Sequence, residues 1–190
     1  MGNYNMDREI ILNLWHYYLC LERDFDNTSR YIEPIGQEDT YSFEFVKIIN
    51  LACSEVESVF RRLCEVINPN SKAGNMCQYK STILTNYPKI VEAEVRVVRW
   101  GELIKPFQNW DTNKLDWWDN YQLVKHKRSE NFKLANYRNA VFSISALYIL
   151  ILYLSQIAGV QLYDIDVTCI YSVYKDHITV FEGQSLPDFQ

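Results

Sequence analysis

Residues Ala140 to Leu154 are apolar at almost every position, broken only by Ser143 and Ser145 and interspersed with Tyr148 and Tyr153. A helix that is apolar around its whole circumference must be enclosed, by lipid or by the rest of its own chain. At about 15 residues the run is shorter than the ~20 that span a bilayer. The expectation is therefore a central, buried helix from about residue 131 to 158, with Gly159 as its C-terminal stop.

Such a helix needs amphipathic partners, and two precede it. Ile10, Leu14, Tyr17, Tyr18, Leu21 and Phe25 recur at helical spacing, and Asp7 stands where a cap for a helix over about 8–25 belongs. Ser42 precedes an acidic first turn and the stripe Phe45, Ile48, Ile49, Ala52, Val56, Val59, Phe60, Leu63 and Ile67, which ends at Asn68-Pro69 because proline cannot continue the helical ladder. A short helix is expected from Cys77 to Leu84. Alternation of Val91, Ala93, Val95 and Val97 with Glu92, Glu94 and Arg96 predicts a strand within about 90–99. Residues 101–112 read as an ordered loop, and 164–171 with 177–181 as a C-terminal hairpin. The predicted fold is mainly α, an antiparallel helical bundle with a small β embellishment, in a single domain over 1–190.

Composition narrows the function. With 48% hydrophobic and 15% aromatic residues, and only 6 Gly and 5 Pro, the chain can bury a core and has no room for a long linker. The net charge of −5 gives no global attraction to nucleic acid or to an anionic membrane, so any such contact needs a local basic patch. The opening residues lack the apolar core of a signal peptide. Five cysteines, with no C-x-x-C pair, suggest reduced and mostly buried thiols rather than a disulfide frame or a zinc site. The expectation is a cytoplasmic protein that is not a membrane protein. Phosphate-loop, dinucleotide, nucleophile-elbow and metalloprotease motifs are missing, so no cofactor or metal is expected.

One segment carries chemistry. Trp117-Trp118-Asp119-Asn120-Tyr121-Gln122-Leu123-Val124-Lys125-His126-Lys127-Arg128 leads into the apolar helix. On a regular helix Trp117, Tyr121, Val124, Arg128 and Phe132 share one side. Under one reading the aromatics anchor the helix while Lys125, Lys127 and Arg128 face solvent. Under another, Lys125, His126 and Arg128 form a phosphate-binding cluster, with bidentate hydrogen bonds from arginine, a point charge from lysine and proton transfer by histidine, whose ordinary pKa is about 6.5. Under a third, these cations pair with Glu57, Glu22 or Asp26 and lock helices together. Glu22 and Asp26 themselves read as a solvated helix end.

The order of a Ser-capped helix with Glu55-x-Glu57, then W-W-x-x-Y-x-x-x-K-H-x-R, then a long apolar helix resembles the HEPN superfamily, small helical bundles found in RNases, toxins and anti-phage systems. The resemblance covers roughly 8–67 and 115–158. It implies RNA or a nucleotide as ligand, a defence or toxin-like role, His126, Arg128 and Asn120 as catalytic residues, and Lys125 and Tyr121 as substrate contacts. It departs from the pattern of active members, which place an arginine a short distance ahead of the histidine: Asp119, Asn120 and Tyr121 stand there. The alternative is a non-catalytic interaction module. Abundant Tyr and Trp favour an interface, and a homodimer is the expected partner state.

Overall fold

In a computed structural model, the structure describes residues 2–33, 35–97, 102–160, 162 and 186–189. Five helices dominate: α1 (Gly2–Thr28), α2 (Phe43–Ile67), α3 (Met76–Asn86), α4 (Asp116–Asn131) and α5 (Tyr137–Ala158). The fold is mainly α with a small β embellishment, as the sequence predicts.

Capping chemistry sets the boundaries of the two central helices. The Ser42 side chain accepts the Phe45 N–H at 3.1 Å and so starts α2. The Asn136 side chain accepts the Asn139 N–H at 3.0 Å and starts α5. At the far end of α5, Gly159 adopts φ 65°, a left-handed conformation that costs glycine little. The Val160 N–H then reaches the Ser155 carbonyl at 2.9 Å, closing the last turn. The predicted start of α5 at 131 is corrected to 137, because a separate 3-10 turn, Phe132–Leu134, intervenes. Helix α1 begins earlier than predicted, at Gly2, which places Asp7 inside the helix rather than at its cap.

Packing follows the apolar stripes. Helix α5 lies against α2 and α1, and its residues from Ala140 to Ile151 are buried with the exception of half-buried Phe142. At 22 residues it is long and apolar enough to cross a membrane, yet most of it is enclosed by the other helices. The stripe of α2 from Phe45 to Leu63 is fully buried, which makes this pair the centre of the core.

The strand expectation is corrected at its start. Residues Pro88–Glu92 form a 3-10 turn with Pro88 in its first positions, where the fixed φ of proline suits a turn and its missing N–H would be unpaired anyway. Only β1 (Val95–Val97) is extended. It pairs antiparallel with β2 (Glu102–Ile104), so the segment expected to be a loop contributes a strand at its beginning. The remainder, 105–115, is irregular and packs inward through Phe107 and Trp110. The predicted C-terminal hairpin lies outside the described residues.

Candidate functional site

Helix α4 is held in place by aromatic rings. Phe60 of α2 stacks on Tyr79 of α3 at 5.6 Å between centroids and meets Trp110 at 5.4 Å. Phe107 continues the contacts to Trp117, and Trp117 meets Trp118, which meets Tyr121 at 5.1 Å. The Trp117 indole N–H donates to the Pro106 carbonyl at 2.8 Å, so its polar edge is satisfied although buried. Asp116 and Asp119 occupy the first turn, where carboxylates suit the positive end of the helix dipole.

Polar contacts fix the same helix to α5. The Asn120 amide donates to Asn139 Oδ1 at 3.2 Å, and the Asn139 amide donates to the Leu134 carbonyl at 2.7 Å. With the Asn136 cap, these bonds tie α4, the 3-10 turn and the start of α5 together. Deeper in the core, Ser143 donates to the Asn139 carbonyl at 2.7 Å, while the Cys53 thiol lies 3.3 Å from the Ser143 oxygen. Burial pushes the Cys53 thiol up to about 12, so it stays neutral and inert. The network could not be anticipated from spacing, since its asparagines are 19 residues apart.

Past Val124 the character of α4 changes. Lys127 has φ −140° and ψ 45°, so the helix breaks there. Arg128 is exposed, as in the reading that turns Lys125, Lys127 and Arg128 to solvent, and not on the side of Trp117, Tyr121 and Val124 that an unbroken helix would give it. Lys125, His126 and Lys127 are exposed as well, whereas Tyr121 is only 2% exposed. The Lys125 ammonium sits 5.3 Å from the centre of the Tyr121 ring. The Tyr121 hydroxyl, and at longer range the Glu57 carboxylate, hold that ammonium above its ordinary pKa.

The structure thus brings Lys125 and Tyr121 together and leaves His126 and Arg128 on the surface. Asn120 points to Asn139 on α5 instead. No ion pair among the described residues includes Lys125, His126 or Arg128; Glu57 approaches Arg61 at 3.8 Å. The cations of this segment are unlocked.

Glu22 corrects a further expectation. It is 3% exposed, and its carboxyl accepts at 3.1 Å the hydroxyl of Tyr18, whose ring meets those of Trp15 and Tyr148. Burial, opposed by the Tyr18 hydrogen bond and reinforced by Asp26, pushes it up to about 8. The sequence signal was its spacing: Glu22 follows Tyr18 and Trp15 at four and seven positions, on the buried stripe. The thiols divide: Cys53 and Cys64 are buried, but Cys20 and Cys77 are free and exposed, against the expectation of mostly buried cysteines. Among the described residues no group of three or more His, Cys, Asp or Glu could hold a metal.

Comparison of the chain with protein-family models, characterised proteins and solved structures gives no match.

Proposed function

We propose that the exposed turn of α4 is a phosphate-binding surface and that the chain is a HEPN-like cytoplasmic protein that binds or cleaves RNA or a nucleotide, in a defence or toxin-like role. One observation carries this reading. Lys125, His126, Lys127 and Arg128 are four consecutive exposed basic side chains with no ion pair among the described residues, on a protein of net charge −5. Surface cations left without carboxylates retain their full capacity for phosphate oxygens.

The roles follow from position. Arg128 offers a planar fork to a phosphate, and Lys125, steadied over the Tyr121 ring, offers a point charge. His126, between them in sequence, is the group able to exchange a proton with the backbone of a bound strand. Asn120 supports the helix through Asn139 rather than touching ligand.

The test is fluorescence anisotropy with a short labelled single-stranded RNA, beside a cleavage assay on mixed tRNA. Wild type should bind, with affinity falling as salt rises, and the triple Ala variant of Lys125, His126 and Arg128 should lose at least about tenfold. Cleavage that disappears in His126→Ala would make the surface an active site, while binding without cleavage would make it a binding module. Absence of both binding and cleavage in wild type would sink the proposal.

A further inference from the structure

Four residues late in the chain, Leu186-Pro187-Asp188-Phe189, sit in a notch between the turn Pro88–Glu92 and the C-terminal half of α5. The notch has a polar half and an aromatic half. Asp188 uses both carboxylate oxygens: Oδ1 accepts the Lys89 backbone N–H at 2.9 Å, and Oδ2 accepts the Tyr153 hydroxyl at 3.0 Å. Beside it, Phe189 stacks on Tyr87 at 5.4 Å between centroids and meets Tyr153 at 5.5 Å. Tyr87 and Tyr153 meet edge-on at 5.7 Å, so the three rings touch one another. Leu186 is buried, and the Phe189 N–H returns to the Leu186 carbonyl at 2.8 Å, which folds the segment as a single turn.

Two features distinguish this contact from core packing. The groups that are read are adjacent in sequence: a carboxylate and a ring, presented by a backbone that Pro187 restricts. Such a segment carries its recognition chemistry within itself, as a short peptide ligand does. Pro187, Asp188, Phe189 and Tyr87 are also only half-buried, so the segment lies on the surface, and lifting it opens a notch rather than a hole in the core. Beneath it Tyr153 is 1% exposed. Burial, reinforced by Asp188, holds the Tyr153 hydroxyl above its ordinary pKa, so it remains a donor. Asp188 forms no ion pair among the described residues. Its carboxylate is held by two aligned neutral donors, which select by geometry.

We propose that the notch formed by Tyr87, the Lys89 N–H and Tyr153 is a recognition site for a partner protein's peptide segment bearing Asp-Phe, and that residues 186–189 fill it until such a segment displaces them. The aspartate satisfies both donors and the phenyl ring packs against both tyrosines. Tethering gives the chain's own segment a high effective concentration, so a partner's segment must compete with it. The inference does not depend on the phosphate-binding reading of α4, and its test uses no nucleic acid.

The probe is a labelled peptide, Ser-Leu-Pro-Asp-Phe, blocked at both ends. The full chain carrying Asp188→Ala with Phe189→Ala should bind it saturably below about 1 mM. Wild type should bind at least about tenfold more weakly, because its own segment competes. Adding Tyr153→Phe to the vacated chain should weaken binding at least about tenfold, and so should asparagine in place of the peptide's aspartate. Wild type also gives a readout that needs no variant. Excess peptide should move the Phe189 amide NMR signal toward its position in the isolated peptide, and the asparagine peptide should not. A vacated chain with unchanged circular dichroism that binds no peptide would overturn the proposal, as would equal affinity for the aspartate and asparagine peptides. Whether or not the double variant folds, a wild-type Phe189 signal that excess peptide leaves unmoved would overturn it too.

Discussion

Glu22 on α1 and Lys125 on α4 both stand four residues after a buried tyrosine, Tyr18 and Tyr121 respectively, and both interact with it. Their fates are opposite. The carboxyl of Glu22 is buried and accepts the Tyr18 hydroxyl, and burial favours its neutral form. The ammonium of Lys125 lies over the outer face of its ring, in water, and keeps its charge. The difference lies in stem length and in what the far side of the tyrosine faces. A lysine can cover an aromatic surface with its methylenes and still reach solvent, whereas a glutamate on a buried stripe has no such reach. A neutral acid adds to the core of this protein, and a charged base remains free for a ligand.

The largest expected effect breaks the acidic half of that comparison. Glu22 ionises near 4.5 when unfolded and at about 8 when folded. Between those values the unfolded state binds fewer protons, so stability is full below pH 4.5 and falls as pH rises through 8. At pH 7 the loss from this one group is about 3 kcal/mol, from 1.36 kcal/mol per unit. Glu22→Gln keeps an acceptor for the Tyr18 hydroxyl but cannot ionise. Urea unfolding should show the variant more stable than wild type at pH 7.5, with the advantage shrinking toward pH 4.5. An identical pH slope in both proteins would mean that Glu22 is not the titrating group.

A smaller effect concerns what holds α4 so that Lys125 can be presented. Among the described residues no ion pair does this. Asn139 does, through Asn120 on one side and the Leu134 carbonyl on the other. Asn139→Ala leaves that carbonyl and the Asn120 amide without partners and should cost about 2 kcal/mol. The same variant should weaken RNA binding without touching a single surface charge, and a change in stability with unaltered RNA affinity would uncouple the network from the site.

The helices were legible because their signals are local. The cap at Ser42, the proline after Asn68 and the glycine at 159 each act within one turn, and the predicted ends lie at the observed ones. The start of the strand was misread because alternation in 91–97 mimics an extended segment, while Pro88 biases its first residues toward a tighter turn. The candidate site was legible as composition but not as geometry. Sequence spacing assumes an unbroken helix, so the break at Lys127 was not legible, although the reading that turned Arg128 to solvent matches its exposure. Burial of Glu22 was signalled by its spacing of four and seven from the buried Tyr18 and Trp15, but a carboxylate near a helix end reads as solvated and that reading masked it.

The smallest effect on stability tests the basic half. Lys125→Met preserves much of the stem over Tyr121 and removes only the charge. An exposed ammonium above an aromatic ring contributes about 0.5–1 kcal/mol, so the melting temperature should barely move. If Lys125 binds phosphate, the same substitution should weaken RNA binding and reduce by about one the slope of log affinity against log salt. If its charge serves only the fold, stability and salt dependence should respond the other way, the first falling and the second unchanged. Measuring both in one variant separates a cation kept for a ligand from one kept for a ring, a distinction the Glu22 variant cannot make because its carboxyl has no route to solvent.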